Sequence, residues 1–342
     1  VSGKGLPLFD GDASAPPQRG QRGRLPSYAL RVSLLEQCQY QCPYCMPGAV
    51  QPYTERASWL RAADYRRLAP LLVQAGVRKV RFTGGEPLLR EDTPDIIAAF
   101  RAAMPGAELA LTTNGQKLPG QLDRLLEAGL SRVTVHLDTL RDDRYPTLMG
   151  KGTPAEILAA CEAAAKKLPL KFNAVVQRGK NDDELIDLLS LGQRLGAEVR
   201  FIELMNTGSA GSYVDEVFIT GREIVERVST EVPVRRRDRR HPSDPAALFD
   251  ADLPQGSVTF GLIASDTEPF CDACDRLRLT ADGRLRGCLY EAGGVPLGAA
   301  LRAGADDGQL AALIGVGLDD KRSYHPLVAP KRVPFSMADI GG

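Results

Sequence analysis

From Tyr28 to Met205 the chain alternates between short apolar, β-branched runs and amphipathic stretches. The runs Tyr28–Leu34, Val77–Phe82, Glu108–Thr112, Arg132–Leu137, Leu170–Val176 and Glu198–Leu204 read as strands. Between them, Ala62–Gln74, Thr93–Met104, Gln121–Ala128, Pro154–Lys167 and Asp183–Leu195 carry apolar residues at helical spacing. Gly76, Gly106, Gly129 and Gly196 stand between a helix and the next strand, which predicts left-handed caps. Repeated strand–helix units imply a parallel sheet. Six units are too few to close an eight-fold barrel, so the predicted class is α/β, a partial, open (β/α)6 TIM-like barrel. In such sheets the chemistry gathers at the C-terminal strand ends.

After Met205 the rhythm breaks. A Gly/Ser-rich turn (Asn206–Ser212), a short helix near Gly221–Ser229 and a basic run, Arg235–Arg240, come first. Short strands follow within Val258–Tyr290, then helical runs at Leu297–Arg302 and Gly308–Gly317. The expected division is an N-terminal arm (1–27), a barrel (28–206) and a smaller α+β domain (207–342). The arm is polar and rich in Gly, Pro and Arg, without the apolar segment of a secretory signal. The 342 residues carry 43 basic and 43 acidic side chains, so nothing in the charge balance calls for nucleic acid or an anionic membrane. No apolar run approaches the ~18 residues of a membrane span. The run RRRDRR lacks an aromatic platform and reads as a solvated loop. The expected location is cytoplasmic, where thiols stay reduced and available as ligands.

The thiols then dominate the reading. Six of seven cysteines form two triplets: Cys38, Cys42 and Cys45 as CxxxCxxC, and Cys271, Cys274 and Cys288 as CxxC plus a distant third. Three soft thiolates suit an iron–sulfur cubane with one iron left open, or a zinc ion completed by a residue such as His136 or His325. Cys161, among the alanines of a helix, reads as a small core residue, and the single Trp59 as a packing residue. His241 and His325 receive no role of their own.

With Tyr44 before the last cysteine, and with Gly84-Gly85-Glu86-Pro87 after the second strand, the first triplet resembles the radical S-adenosylmethionine (SAM) superfamily. The second stretch, Phe270-Cys271-Asp-Ala-Cys274-Asp-Arg276-Leu-Arg278-Leu-Thr, together with Cys288 and a terminal Gly341-Gly342, resembles the GTP 3′,8-cyclase family of molybdenum-cofactor biosynthesis. That resemblance implies the radical SAM fold and two [4Fe-4S] clusters, held by Cys38, Cys42 and Cys45 and by Cys271, Cys274 and Cys288, the second in the C-terminal domain. It implies a lyase that turns GTP into (8S)-3′,8-cyclo-7,8-dihydroguanosine 5′-triphosphate through a 5′-deoxyadenosyl radical. Cys38, Cys42, Cys45, Arg276 and Arg278 would be its catalytic set. SAM contacts would fall on Tyr44, Gly84, Gly85, Glu86, His136 and Met205, the glycines letting backbone approach the methionine moiety. GTP contacts would fall on Arg31, Arg81, Thr112, Lys171, Arg276 and Arg278, with Lys79 and Arg200 as further cavity cations. Arg276 and Arg278, two apart on a strand, share a face. The implied partners are a flavodoxin- or ferredoxin-type electron donor and a downstream pterin-forming enzyme; a homodimer is left open. The double-glycine tail would be slim enough to enter the barrel mouth.

The chain departs from the family pattern at several places. His136 stands where the family usually has Ser, and Asp275 where it has Asn. Glu36, Gln37 and Gln39 differ before and within the first triplet. Two alternatives therefore stay open: a paralogue acting on another nucleotide or small molecule, and a zinc-stabilised, non-catalytic binding protein.

Overall fold

The structure, a computed structural model, describes residues 25–45, 55–205, 211–291 and 293–323. Most of the expected arm, most of the 206–212 turn, His325 and the Gly341–Gly342 tail lie outside the described residues. The six barrel strands are β1 (Tyr28–Ser33), β2 (Val77–Thr83), β3 (Glu108–Thr113), β4 (Arg132–His136), β5 (Leu170–Val176) and β6 (Glu198–Glu203). They alternate with α1 (Ala62–Gln74), α2 (Thr93–Ala103), α3 (Leu122–Glu127), the single turn α4 (Tyr145–Leu148), α5 (Pro154–Ala165) and α6 (Leu185–Leu195). Gly196 closes α6 in the left-handed conformation, φ 62°. Gly76 and Gly129 also take positive φ, whereas Gly106 does not, so the cap expected there is absent.

The C-terminal part contributes α7 (Gly211–Val217), α8 (Gly221–Glu231), β7 (Val234–Arg237), β8 (Ala247–Leu253), β9 (Gly256–Ile263), β10 (Arg276–Leu279), β11 (Arg284–Arg286), β12 (Val295–Pro296), α9 (Leu297–Arg302) and α10 (Asp307–Ser323). Its strands lengthen the barrel sheet at both edges, giving the order β12-β11-β10-β1-β2-β3-β4-β5-β6-β9-β8-β7. β10 runs parallel to β1 and β9 parallel to β6, so eight parallel strands stand side by side. The sheet stays open, since its outermost strands β12 and β7 each pair on one side only.

The basic run is only in part the solvated loop expected of it: 238–240 lie on the connection to β8, but Arg235 to Arg237 belong to a strand. Val234–Arg237 forms an edge strand whose Arg235 and Arg237 pair with Asp252 and Asp250 on β8. Charged residues on an edge strand discourage pairing with another chain.

Strand alternation divides the two sheet faces. Leu30, Val32, Val80, Phe82, Leu109, Leu111, Val133, Val135, Phe172, Phe201 and Phe260 are buried in one continuous apolar core beneath the helices. Phe82 meets Phe100 of α2 edge-on at 5.5 Å, and Trp59 and Cys161 both pack into this core as expected. A parallel sheet covered on both faces would be apolar on both. Here the opposite parity carries Arg31, Arg81, Arg132, Lys171, Arg200 and Arg278, so the inner face forms a charged lumen.

Candidate active site

The loop after β1 carries the first triplet to the C-terminal edge of the sheet. It is held there by backbone pairing with the GGEP segment: Gly85 N–H donates to Leu35 O (2.7 Å) and Glu86 N–H to Gln37 O (2.8 Å). The same pairing draws the cysteine loop close against both glycines. A Cβ on Gly84 would stand 2.4 Å from Leu35 O, and one on Gly85 would stand 2.2 Å from Gln37 O. On that side the cysteine loop itself fills the space that a bare backbone leaves. Glu86 likewise spends its carboxylate within the protein. It accepts from Leu88 N (2.9 Å), Thr113 Oγ1 (2.8 Å) and Asn114 N (2.8 Å), tying GGEP to the end of β3.

Hydrogen bonds aimed at sulfur complete the first triplet. Tyr40 N–H (3.4 Å) and Asn114 Nδ2 (3.8 Å) both donate to Cys38 Sγ. Gln39 Nε2 reaches Asn114 Oδ1 (3.3 Å) and Gln116 Oε1 (3.0 Å), so it orients the asparagine. Burial pushes the Cys38 thiol up to about 11 and the Cys42 thiol well above its usual range. Soft ligands that are buried, met by N–H groups and costly to ionise alone are stabilised as thiolates by a bound cationic centre.

Tyr44 enters a network that the sequence reading missed. Its hydroxyl donates to Asp138 Oδ2 (2.7 Å) and stands 2.5 Å from His136 Nε2. His136 Nε2 also lies 3.1 Å from Asp138 Oδ2. Asp138 is fully buried, and its other oxygen accepts Val175 N–H (2.7 Å). With the phenol proton committed to Asp138, the imidazole N–H is the donor to the phenol oxygen. Burial alone would lower the His136 pKa, but the Asp138 carboxylate outweighs it and the net direction is upward. Asp138 sits two residues beyond His136, so the H-x-D spacing was the available signal. Met205 lies two residues past β6 and is half-buried.

The second triplet stands at the opposite edge. Cys271 and Cys274 immediately precede β10, which is parallel to β1, and Cys288 follows the antiparallel β11. All three therefore flank the N-terminal end of the parallel strands. Strand rise puts the two edges of a six-residue strand about 20 Å apart. Lys321 of α10 brings Nζ to 3.6 Å from Cys274 Sγ and 3.1 Å from Gly287 O. Burial would raise the Cys274 pKa, but Arg276 and Lys321 bring it down to about 7, whereas Cys271 is pushed up to about 11. Arg276 also lies over the Phe270 ring, 4.2 Å from its centroid.

Between the two edges lies the charged lumen. The pairing register sets Arg278, Arg31 and Arg81 side by side on β10, β1 and β2. Thr112, Thr134, Lys171 and Glu198 form another row across β3 to β6. Arg81 Nη1 reaches Thr112 Oγ1 at 3.5 Å. Burial and mutual repulsion depress these cations: Arg31 well below its usual value, Arg81 to about 9, Arg278 to about 10 and Lys171 to about 8. Lys79 belongs to the same face but is exposed. Glu108 pairs with Arg132 (2.8 Å), and Glu198 with Lys171 (2.8 Å) and Arg200 (2.7 Å). Among the described residues no carboxylate pairs with Arg31 or Arg81 within ion-pair distance. Arginines gathered in a buried space and repelling one another make a receptor for a polyanion.

Among the described residues no three His, Cys, Asp or Glu side chains converge to hold a single metal ion.

Comparisons with known proteins agree with this architecture. The model of the radical SAM superfamily matches residues 32–192, and that of Molybdenum Cofactor Synthesis C matches residues 197–327. GTP 3′,8-cyclase 3 of Mycobacterium bovis is 40% identical over 299 residues, 85% of this chain and 78% of that protein. GTP 3′,8-cyclase of Moorella thermoacetica is 37% identical over 316 residues, 92% of this chain and 97% of that protein. The mitochondrial GTP 3′,8-cyclase of Arabidopsis thaliana is 37% identical over 324 residues, 94% of this chain and 82% of that protein. Among solved structures, Streptococcus suis SuiB bound to S-adenosylmethionine aligns with a TM-score of 0.57 at 15% identity, covering 84% of this chain and 67% of that one. At that identity the likeness speaks to the fold alone, which is the open radical SAM barrel expected from the sequence.

Proposed function

Because the chain belongs to the GTP 3′,8-cyclase family of radical SAM enzymes, we propose that it converts GTP into (8S)-3′,8-cyclo-7,8-dihydroguanosine 5′-triphosphate. The observation that carries this reading is the row of mutually repelling cations inside the barrel, between two cysteine triplets at opposite strand ends. A nucleotide triphosphate supplies the missing negative charge, and the lumen is long enough to hold its base and sugar toward different edges.

In this reading Cys38, Cys42 and Cys45 hold one [4Fe-4S] cluster, and Cys271, Cys274 and Cys288 hold a second. Cluster and SAM together supply a carbon radical able to take a hydrogen atom from a ribose. The residues of the chain do the rest. Asp138 and His136 fix the Tyr44 ring beside the first triplet. Arg31, Arg81, Lys171, Arg200 and Arg278 bind the phosphates and orient the sugar. Arg276, stacked on Phe270, lies between that charge and the second triplet. The sheet, extended at both edges by the C-terminal strands, walls the lumen and keeps stray hydrogen-atom donors such as free thiols away from a carbon radical. An electron donor of the flavodoxin or ferredoxin class and a pterin-forming enzyme downstream complete the proposal. Among the described residues no helix is long and apolar enough to cross a membrane.

His136 and Asp275, in place of the Ser and Asn that the family pattern carries, favour a second reading: the same radical chemistry on another nucleotide. Anaerobic incubation of the reconstituted protein with SAM, dithionite and each nucleoside triphosphate in turn separates the two. Mass spectrometry should find a cyclised product, isomeric with its substrate, from GTP alone. Product from a different triphosphate would replace the first reading with the second.

A further inference from the structure

Glu198 opens β6, faces the lumen and is 9% exposed, yet three cations surround it. Lys171 Nζ (2.8 Å) and Arg200 Nε (2.7 Å) both donate to Oε1, whereas Arg240 Nη1 stands 2.6 Å from Oε2, an ion-pair contact without hydrogen-bond alignment that leaves this buried oxygen with no hydrogen-bond partner among the described residues. One carboxylate thus balances only one of three charges. Burial would raise its pKa, but Arg200 and Lys171 hold it at about 2, so it is ionised.

The third cation has a separate origin. Lys171 and Arg200 belong to barrel strands, whereas Arg240 lies on the connection between β7 and β8 and is itself 55% exposed. The register sets Arg237, Leu248, Gly261 and Arg200 level on β7, β8, β9 and β6. The chain therefore leaves β7 level with Arg200. Three residues later the Arg240 guanidinium reaches back across the inner face to the first residue of β6. The fifth arginine of the RRRDRR run is a lumen group supplied from outside the barrel.

We propose that Arg240 is a further phosphate-positioning residue, and that Glu198 is a placeholder anion which keeps Lys171, Arg200 and Arg240 gathered until an incoming polyphosphate displaces it from them. The biological meaning rests on the triphosphate reading given above; the exchange of a carboxylate for a polyphosphate among three cations needs only the phosphate chain.

The probe is therefore inorganic tripolyphosphate, titrated calorimetrically into the cluster-loaded full chain at low ionic strength, with GTP and GMP in parallel. Arg240→Ala should weaken tripolyphosphate and GTP binding about tenfold, the scale of one lost charge-assisted pair, and leave GMP unchanged. Arg240→Lys should fall between. Glu198→Gln, checked for an unchanged unfolding midpoint, should tighten tripolyphosphate binding because the competing anion is gone. Wild-type affinity in Arg240→Ala, an equal loss for GMP, or no tripolyphosphate binding by the wild type overturns the role of Arg240. Weaker or unchanged binding by Glu198→Gln overturns the placeholder. Arg240-dependent tripolyphosphate binding without any binding of GTP sinks the GTP reading and leaves this inference standing.

Discussion

Asp138 gathers Tyr44, His136 and Val175 N–H onto one buried carboxylate, and this residue, rather than the histidine, organises the region beside the first triplet. Asp138→Asn removes the charge that raises the imidazole pKa. The His136 pKa should fall in the variant, as read from imidazole proton shifts across pH; an unmoved titration would mean that the pair is not coupled. Glu86 gives a second test. Burial raises its pKa to about 7 in the folded chain, against an ordinary carboxylate value when unfolded. The folded state keeps a proton that the unfolded chain has released, so this group favours folding at pH 5 and loses that contribution as pH rises through 7. Glu86→Gln should remove that part of the decline, measured as the difference in urea midpoints between variant and wild type at pH 5 and pH 7.5. Parallel declines would contradict the assignment. At this scale the cysteines, Tyr44 and the lumen arginines were legible, because spacing and strand parity place them without knowledge of packing. Asp138, Asn114 and Lys321 were not, since each acquires its role from a contact across the fold: Asn114 reaches Cys38, 76 positions away, and Lys321 reaches Cys274, 47 positions away.

Helix α10 shows what an element can deliver to a site. Its Lys321 reaches Cys274 because Gly287 lets the helix come close; a Cβ there would stand 2.6 Å from Lys321 Cα. Arg276 first and Lys321 second hold Cys274 near 7, while burial pushes Cys38 and Cys271 up to about 11. In the metal-free, reduced protein at pH 7, iodoacetamide should label Cys274 before either of those two, and Lys321→Met should slow that labelling. Equal rates in variant and parent would remove Lys321 from the account. The barrel strands and helices were legible from periodicity nearly to the residue. The edge strand β7 was not: after a half-buried Val234 its three arginines are all exposed and carry no alternation, and its pairing rests on Asp250 and Asp252, which lie on another strand.

The whole molecule is organised by one sheet of twelve strands. The sequence showed six βα units and a smaller C-terminal α+β domain; it could not show β9 and β10 joining opposite edges of the barrel, because β1 and β10 are separated by most of the chain. A shared sheet ties the two parts energetically. Denaturation of the metal-free protein should therefore be a single event, with circular dichroism, Trp59 fluorescence and exposure of Cys271 and Cys288 to labelling following coincident curves. Two separated transitions would mean that the C-terminal part folds by itself. The same sheet sets the two cysteine triplets at opposite strand ends with a basic lumen between, where in the proposed reaction a GTP ribose lies within reach of the first site. The decisive probe is GTP deuterated at C3′, incubated anaerobically with SAM, dithionite and the loaded enzyme. Recovered 5′-deoxyadenosine should carry deuterium by mass spectrometry in step with cyclised product; unlabelled 5′-deoxyadenosine beside intact GTP would contradict the account.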